Sequence, residues 1–154
     1  MLTQPLLIVH IEDNDSHAQL VSDVATQATM PCRVIRFVDA ESGLDYLQGD
    51  LQSFHRDQHP YPNLILLELD LPGMSGLTFL RHVRAHERTK GIPIVVLTKS
   101  ANEHEITAAY RYGANSYVVK PADRDDFLIK LTELSMYWHM TSEIPHPAQS
   151  AVVV

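Results

Sequence analysis

Five polar residues of this sequence follow short apolar runs, and their side chains could do chemistry together. Glu12 and Asp13 follow the first run, Glu68 the third, Thr98 the fourth and Lys120 the fifth. Carboxylates at close quarters repel one another, so a cation must accompany them, and Mg²⁺ is satisfied by one or two carboxylates, a backbone carbonyl and waters. Lys120 can neutralise the remaining charge or hold an anionic group, and Thr98 can hydrogen-bond the same group. Each residue alone has an ordinary reading as a loop or helix cap, but the five together indicate a site.

The runs that carry these residues alternate with stretches of helical spacing. The runs are predicted to be strands, and they are Leu6–Val9, Arg33–Val38, Leu64–Leu67, Ile94–Leu97 and Tyr117–Val119. The first and third are nearly all apolar, as expected of strands covered on both faces. Between and after them, apolar residues recur at helical spacing. Asp39, Asn102 and Asp123 are predicted to cap three of these helices at their start, and Gly113 to end one. The segment between Gly49 and Asn63 is predicted to be a long loop.

Alternating strands and helices predict a doubly wound α/β fold, in which helices cover both faces of a five-stranded parallel sheet. In such a sheet, function lies beyond the carboxyl ends of the strands, which is where the five polar residues fall. We expect one domain over residues 1–140, followed by an extension over 141–154 that is an arm or disordered.

The bulk properties favour a cytoplasmic protein with protein partners. The 154 residues suit a single core, and the formal net charge of −7 argues against binding to nucleic acid or to anionic membranes. No apolar run reaches the roughly eighteen residues that a membrane span needs. The single cysteine, Cys32, excludes an internal disulfide framework and is expected to be a small buried hydrophobe.

The segments around these residues resemble the receiver domain of two-component response regulators, over about Leu6 to Met136. The matching segments are Val9–Asn14, Leu66–Gly73 with Gly76, Val96–Thr98 and Tyr117–Pro121. The resemblance implies the strand order 2-1-3-4-5, a histidine kinase as partner, and a role in a phosphorelay that is not that of an enzyme. In this family an acidic pair binds Mg²⁺ and an Asp after the third strand accepts a phosphoryl group.

Carried over residue by residue, the resemblance implies a role for each candidate. Glu12 and Asp13 form the acidic pocket, and Asp13, Glu68 and the backbone carbonyl of Asp70 would hold Mg²⁺. Thr98 and Tyr117 would be the switch pair that moves on phosphorylation. Lys120 would contact the phosphoryl group.

The sequence departs from the family at the phospho-accepting position, which lies four residues before the proline of the Leu-Pro pair. Here that residue is Glu68. A glutamate is one methylene longer than an aspartate, so its carboxylate reaches into the space of the phosphoryl group, and efficient phosphorylation is not expected. Glu68 either mimics the phosphorylated state or pairs with Lys120 and locks the inactive one, and the sequence does not choose between them.

The long loop and the end of the chain narrow the resemblance to the small single-domain regulators that partner phytochromes. The resemblance implies a phytochrome as the possible kinase and a homodimer held through the last two helices, the fifth strand and the tail. Tyr137, Trp138 and Ile144 are the expected contacts, because large aromatic side chains come just where the domain should end.

Two readings from other classes remain open. A metal-dependent phosphatase or phosphotransferase would use Glu12, Asp13 and Glu68, although the sequence that follows the first strand lacks the motif of such enzymes. A zinc site would use His82 and His86, spaced four residues apart in a predicted helix, or His55 and His59 in the long loop.

Overall fold

The computed structural model describes residues 6–28, 32–49, 60–141 and 143, in which strands and helices alternate. The strands are β1 (Leu6–Ile11), β2 (Cys32–Phe37), β3 (Leu64–Leu67), β4 (Ile94–Thr98) and β5 (Ser116–Val119). The α-helices are α1 (Asp15–Gln27), α2 (Ala40–Gln48), α3 (Gly76–Ala85), α4 (Glu103–Arg111) and α5 (Arg124–Met136), and α5 continues as one π-helical turn over Tyr137–Thr141.

The five strands form one parallel sheet in the order β2-β1-β3-β4-β5. The predicted doubly wound α/β fold and its strand order are confirmed. The register aligns the carboxyl ends of the central strands, since Ile11 of β1 lies opposite both Phe37 of β2 and Leu67 of β3. The residues that follow these strands therefore emerge side by side.

Short polar side chains set the start of each α-helix. Each accepts a hydrogen bond from a backbone N–H in the first turn, which satisfies a donor that the helix itself cannot. These residues are Asn14, Asp39, Ser75, Asn102 and Asp123. The three caps predicted from the sequence are among them. Gly113, predicted to end a helix, follows α4 with a φ of 105°, a conformation that favours glycine.

Each face of the sheet is covered by its own hydrophobic core. Val9 and Ile11 point to the face covered by α2, α3 and α4, where Phe79 and Leu80 are fully buried. Leu6 and Ile8 point to the opposite face, where the core includes residues from α1 and α5. The alternation along β1 follows from the two-residue period of a strand, and it determines which side chains reach each face.

Trp138 lies in the core and not at the surface, where the predicted dimer contact would require it. Its side chain is only 8% exposed and packs in the core shared by α1 and α5, together with Leu6 and Leu131. The helix continues past Met136, so Trp138 falls seven residues after Leu131 on the same inward stripe. Tyr137 is 51% exposed and stays available for a partner.

Several predictions concern residues that the structure does not describe. Residues 50–59 of the predicted loop, with His55 and His59, lie outside the described ranges, and so does Ile144. In the part of the chain that is described, no helix is long and apolar enough to cross a membrane.

Candidate functional site

The backbone brings Glu12, Glu68, Thr98 and Lys120 together at the carboxyl edge of the sheet. The N–H of Glu12 donates to the Phe37 carbonyl at 2.9 Å, and the N–H of Glu68 donates to the Ile11 carbonyl at 3.0 Å. The N–H of Lys120 donates to the Thr98 carbonyl at 2.7 Å. Ladder hydrogen bonds thus continue one residue beyond β1, β3 and β5, and they fix where the polar side chains begin.

The carboxylate of Glu68 accepts hydrogen bonds on both of its oxygens. Its Oε1 accepts from the N–H of Leu69 at 2.9 Å, from the N–H of Asp70 at 3.0 Å and from the Thr98 hydroxyl at 2.5 Å. Its Oε2 accepts from Lys120 Nζ at 2.6 Å. The side chain is 7% exposed, so these donors replace the water that a carboxylate would otherwise bind.

Lys120 is the cation at the centre of the site. Its side chain is 1% exposed, and its ammonium group bridges the carboxylates of Glu12 and Glu68. Burial raises the pKa of Glu12 above its usual value, and the hydrogen bond and charge of Lys120 oppose that rise. Glu12 Oε2 is buried and has no hydrogen-bond partner among the residues that the structure describes. One ammonium group therefore serves two buried carboxylates, so the cluster has more acidic groups than cations.

Two histidines of the cluster were not identified from the sequence. His17 Nδ1 lies 3.0 Å from Lys120 Nζ, and its ring packs edge-on against Phe127 at 5.7 Å. His10 is 1% exposed, and burial lowers its pKa to about 3, so it is neutral at physiological pH. The two-residue period of a strand could have identified His10 from the sequence. His10 lies two residues before Glu12, so the two side chains are expected on the same face.

Gly76 lets α3 start directly against the loop that carries Glu68. Its N–H donates to the Leu69 carbonyl at 2.9 Å. A Cβ at this position would lie 2.3 Å from the Glu68 carbonyl oxygen and 2.6 Å from the Leu69 Cα. Because both of these atoms belong to the backbone, any other residue would displace the loop. Glycine is required here by close approach.

Tyr117, the other member of the predicted switch pair, is directed toward the loop after β4. Its hydroxyl donates to the Ser100 carbonyl at 2.8 Å, and burial raises its pKa. Thr98 and Tyr117 thus hold the two sides of the same loop, one through Glu68 and the other through Ser100.

An open cleft of about 760 Å³ leads to the cluster. Asp13 and Asp70 lie at its rim, and both are exposed. Among the residues that the structure describes, no group of three or more His, Cys, Asp or Glu side chains is placed to hold a metal ion. Lys120 contacts the carboxylates of both Glu12 and Glu68, so a divalent cation at this edge would compete with its ammonium group for them. A metal-dependent phosphotransferase would need these same carboxylates free.

The predicted zinc pair of His82 and His86 does not share a helix. Helix α3 ends at Ala85, and His86 has an extended backbone with φ −96° and ψ 128°. His86 Nδ1 instead accepts a hydrogen bond from the N–H of Arg88 at 3.3 Å. Cys32 is partly buried beside the α1 and α5 core, and burial raises its pKa to about 11, as expected of an unreactive thiol.

Comparison with known proteins identifies the family. A family model described as the response regulator receiver domain matches residues 8–132. The chain belongs to this family. The two-component response regulator resemblance inferred from sequence motifs is therefore confirmed, and the receiver fold accounts for nearly all of the described residues.

Similar proteins cover almost the whole chain. The response regulator Rcp1 of Synechocystis sp. is 31% identical over 92% of this chain and 94% of its own length. The probable methanogenesis regulatory protein FilR2 of Methanothrix harundinacea is 32% identical over 94% and 90%. The crystal structure of the Mn²⁺-bound form of Rcp1 has a TM-score of 0.84 at 31% identity, over 92% of this chain and 100% of that one. The phosphorylated cyanobacterial phytochrome response regulator RcpA has a TM-score of 0.86 at 28% identity, over 93% and 100%.

Proposed function

We propose that this receiver is a single-domain response regulator that signals through protein contacts, with Glu68 in place of the phospho-accepting Asp. The observation that carries the proposal is the set of donors on the Glu68 carboxylate. Thr98, Lys120 and two backbone N–H groups all donate to it. A hydroxyl, an ammonium and backbone amides are the groups that an incoming phosphoryl oxygen would require. In this receiver the carboxylate of Glu68 already occupies them.

Phosphorylation of Glu68 is disfavoured for the same reason. In-line attack needs a carboxylate oxygen that is free and correctly placed, and a misplacement of about 1 Å costs about 10²-fold in rate. Here each oxygen would have to leave a buried hydrogen bond before it could attack. The longer side chain would also put the new phosphoryl group further into the cleft than an aspartate would.

Of the two states that the sequence leaves open, we propose that Glu68 mimics the phosphorylated one. The contact that favours this choice is the 2.5 Å hydrogen bond from the Thr98 hydroxyl, together with the inward position of Tyr117. In the family, phosphorylation draws the hydroxyl of the switch pair to the acceptor site. Glu68 carries one negative charge against about −1.5 to −2 for a phosphoryl group, so it would bias the switch less strongly.

The partner we propose is a histidine kinase of the phytochrome class. The support is the similarity to RcpA, which is named as a phytochrome response regulator, over 93% of this chain. Because Glu68 is not expected to take the phosphoryl group, the kinase would act through binding alone. The kinase's signal would then depend on which of its conformations binds the receiver more tightly.

We also propose a homodimer, with a contact that differs from the one first predicted. Helix α5 exposes an apolar stripe of Ile129 (59% exposed), Met136 (54%) and Tyr137 (51%). These residues recur at helical spacing on the side away from the core, and Trp138 is not among them. A two-fold partner would cover the same stripe on both copies. The contact of Ile144 stays a prediction.

The decisive experiment compares wild-type protein with Glu68→Asp. Each is incubated with acetyl phosphate and Mg²⁺ and then analysed by intact-mass spectrometry. We expect a phosphoryl adduct on Glu68→Asp and none on the wild type. Robust labelling of the wild type would falsify the proposal. Glu68→Gln serves as the control, because it keeps the side-chain length and cannot form an acyl phosphate.

A second measurement separates mimicry from an inactive lock. Beryllofluoride with Mg²⁺, which imitates a phosphoryl group, is added to Glu68→Asp while the backbone amide spectrum of residues 98–119 is recorded by NMR. Under mimicry, these resonances move toward the positions of untreated wild-type protein. If they move away from them, Glu68 locks the inactive state.

A further inference from the structure

The amino edge of the sheet, opposite the acidic cleft, carries a concentration of positive charge. The segments that lead into β4 and β5 meet there, because the two strands are parallel neighbours and both begin at this edge. This basic surface consists of Arg81, Arg84, Arg88, Lys90 and Arg111, which are five of the 12 Lys and Arg residues in a chain of formal net charge −7. Between residues 81 and 91 the only acidic residue is Glu87. The charge of this surface is thus opposite to that of the molecule as a whole.

Arg84 holds the basic surface together. Its guanidinium donates to the carbonyl of Gly113 at 2.9 Å, to those of Lys90 and Ile92 at 2.8 and 2.7 Å, and to Asn115 Oδ1 at 2.9 Å. These four hydrogen bonds join α3 to both incoming loops. A Cβ at Gly113 would lie 2.9 Å from the Arg84 Cγ, so the turn is closely fitted to this side chain. Arg84 therefore ties together the backbone segments that carry the other cations.

Three of the other cations of the basic surface face solvent without a carboxylate partner among the described residues. Arg81, Arg88 and Arg111 are exposed, and no ion pair joins any of them to a carboxylate among the described residues. Lys90 pairs with Glu87 at 2.9 Å, but both side chains are more than half exposed, so the pair is screened by water. Arg81 is oriented by the ring of Tyr112, 5.1 Å below its guanidinium carbon.

Helix dipoles account for only part of this charge. Arg84 and Arg111 lie in the last turns of α3 and α4, where a cation offsets the negative helix end. Arg88 and Lys90 lie beyond α3, and the exposed end of Arg81 rests on an aromatic ring. Guanidinium groups without a carboxylate partner are suited to bind carboxylates in pairs.

We propose that this basic surface docks an acidic segment of a partner protein. Its position opposite the Glu68 cleft would leave the cleft and the α5 stripe free in the same complex. A short run of carboxylates matches the limited extent of the surface. A nucleic acid strand is a poor match, because its phosphates would continue onto the acidic remainder of the molecule. This proposal is independent of the role of Glu68.

The test measures binding of a fluorescein-labelled oligoglutamate peptide to the full chain by fluorescence anisotropy at low and physiological salt. The variant is Arg88→Glu with Arg111→Glu, both at exposed positions. The matched control is Arg33→Glu with Arg124→Glu, which changes the net charge equally at exposed positions elsewhere. We expect the first variant to lose at least about tenfold in affinity and the control to change little, since contacts act over about a Debye length of 10 Å or less.

A measurement on the wild type locates the contact without any variant. Amide resonances of residues 81–91 and 111–115 are expected to shift when the peptide is added. Shifts confined to other parts of the chain, or equal losses in both variants, would overturn the proposal. Absence of binding would overturn it as well. Tighter binding of a single-stranded oligonucleotide of equal charge would show that the surface binds phosphates in preference to carboxylates, which would also overturn the proposal.

Discussion

Replacing Lys120 with methionine tests how the buried cluster is stabilised. Methionine has nearly the same shape as lysine and lacks the ammonium group. The variant leaves the carboxylates of Glu12 and Glu68, 1% and 7% exposed, without their shared cation. Breaking one side of a buried ion pair costs about 3–5 kcal/mol, because an uncompensated charge remains in the interior. We expect a loss of this size at about pH 8, a large part of the 5–15 kcal/mol that stabilises a typical domain.

The size of this loss should depend on pH. Burial already raises the pKa of Glu12 above its usual 4.5, and Lys120 opposes that rise. Without Lys120 the pKa rises further, so the folded variant binds a proton that the unfolded chain has released. The stability of the variant therefore increases as pH falls, and the gap to wild type should narrow between about pH 8 and about pH 5.

The measurement is urea unfolding followed by circular dichroism at several pH values. Lys130→Met is the control, because Lys130 is exposed and, within the described part of the chain, donates to a single backbone carbonyl, that of Val119, at 2.8 Å. It should change stability little at any pH. A loss in Lys120→Met below about 1 kcal/mol, or one that is the same at all pH values, would refute the reasoning. In the triple variant with Glu12→Gln and Glu68→Gln, most of the stability should return.

Three further predictions follow from individual contacts. Trp138 is the only tryptophan, so the intrinsic fluorescence should be blue-shifted and resist quenching by iodide, and ready quenching would contradict its burial. Lys120→Ala should increase the affinity for Mg²⁺ at Asp13, Glu68 and the Asp70 carbonyl, and calorimetry that detects no binding in this variant would exclude a latent metal site. Tyr137→Ser should shift the proposed dimer toward monomer in light scattering at micromolar concentration, and a wild-type monomer under these conditions would rule the dimer out.

The fold could be predicted from the sequence because its signals are local. Each strand is a short apolar run, each helix repeats its apolar residues at its own period, and the caps at Asp39, Asn102 and Asp123 act within one turn. The topology of a parallel sheet then places the residues after each strand at one edge. That rule was enough to bring Glu12, Glu68, Thr98 and Lys120 together.

The pairings within the site depended on tertiary structure. Lys120 and Glu12 are 108 residues apart in the sequence, and only the sheet decides that one ammonium serves both carboxylates. His17 enters the cluster because α1 packs beside α5, which no local pattern specifies. Trp138 was wrongly assigned to a surface for the same reason. Its position on the helix was evident, but a side chain is buried or exposed according to what the rest of the chain packs against it.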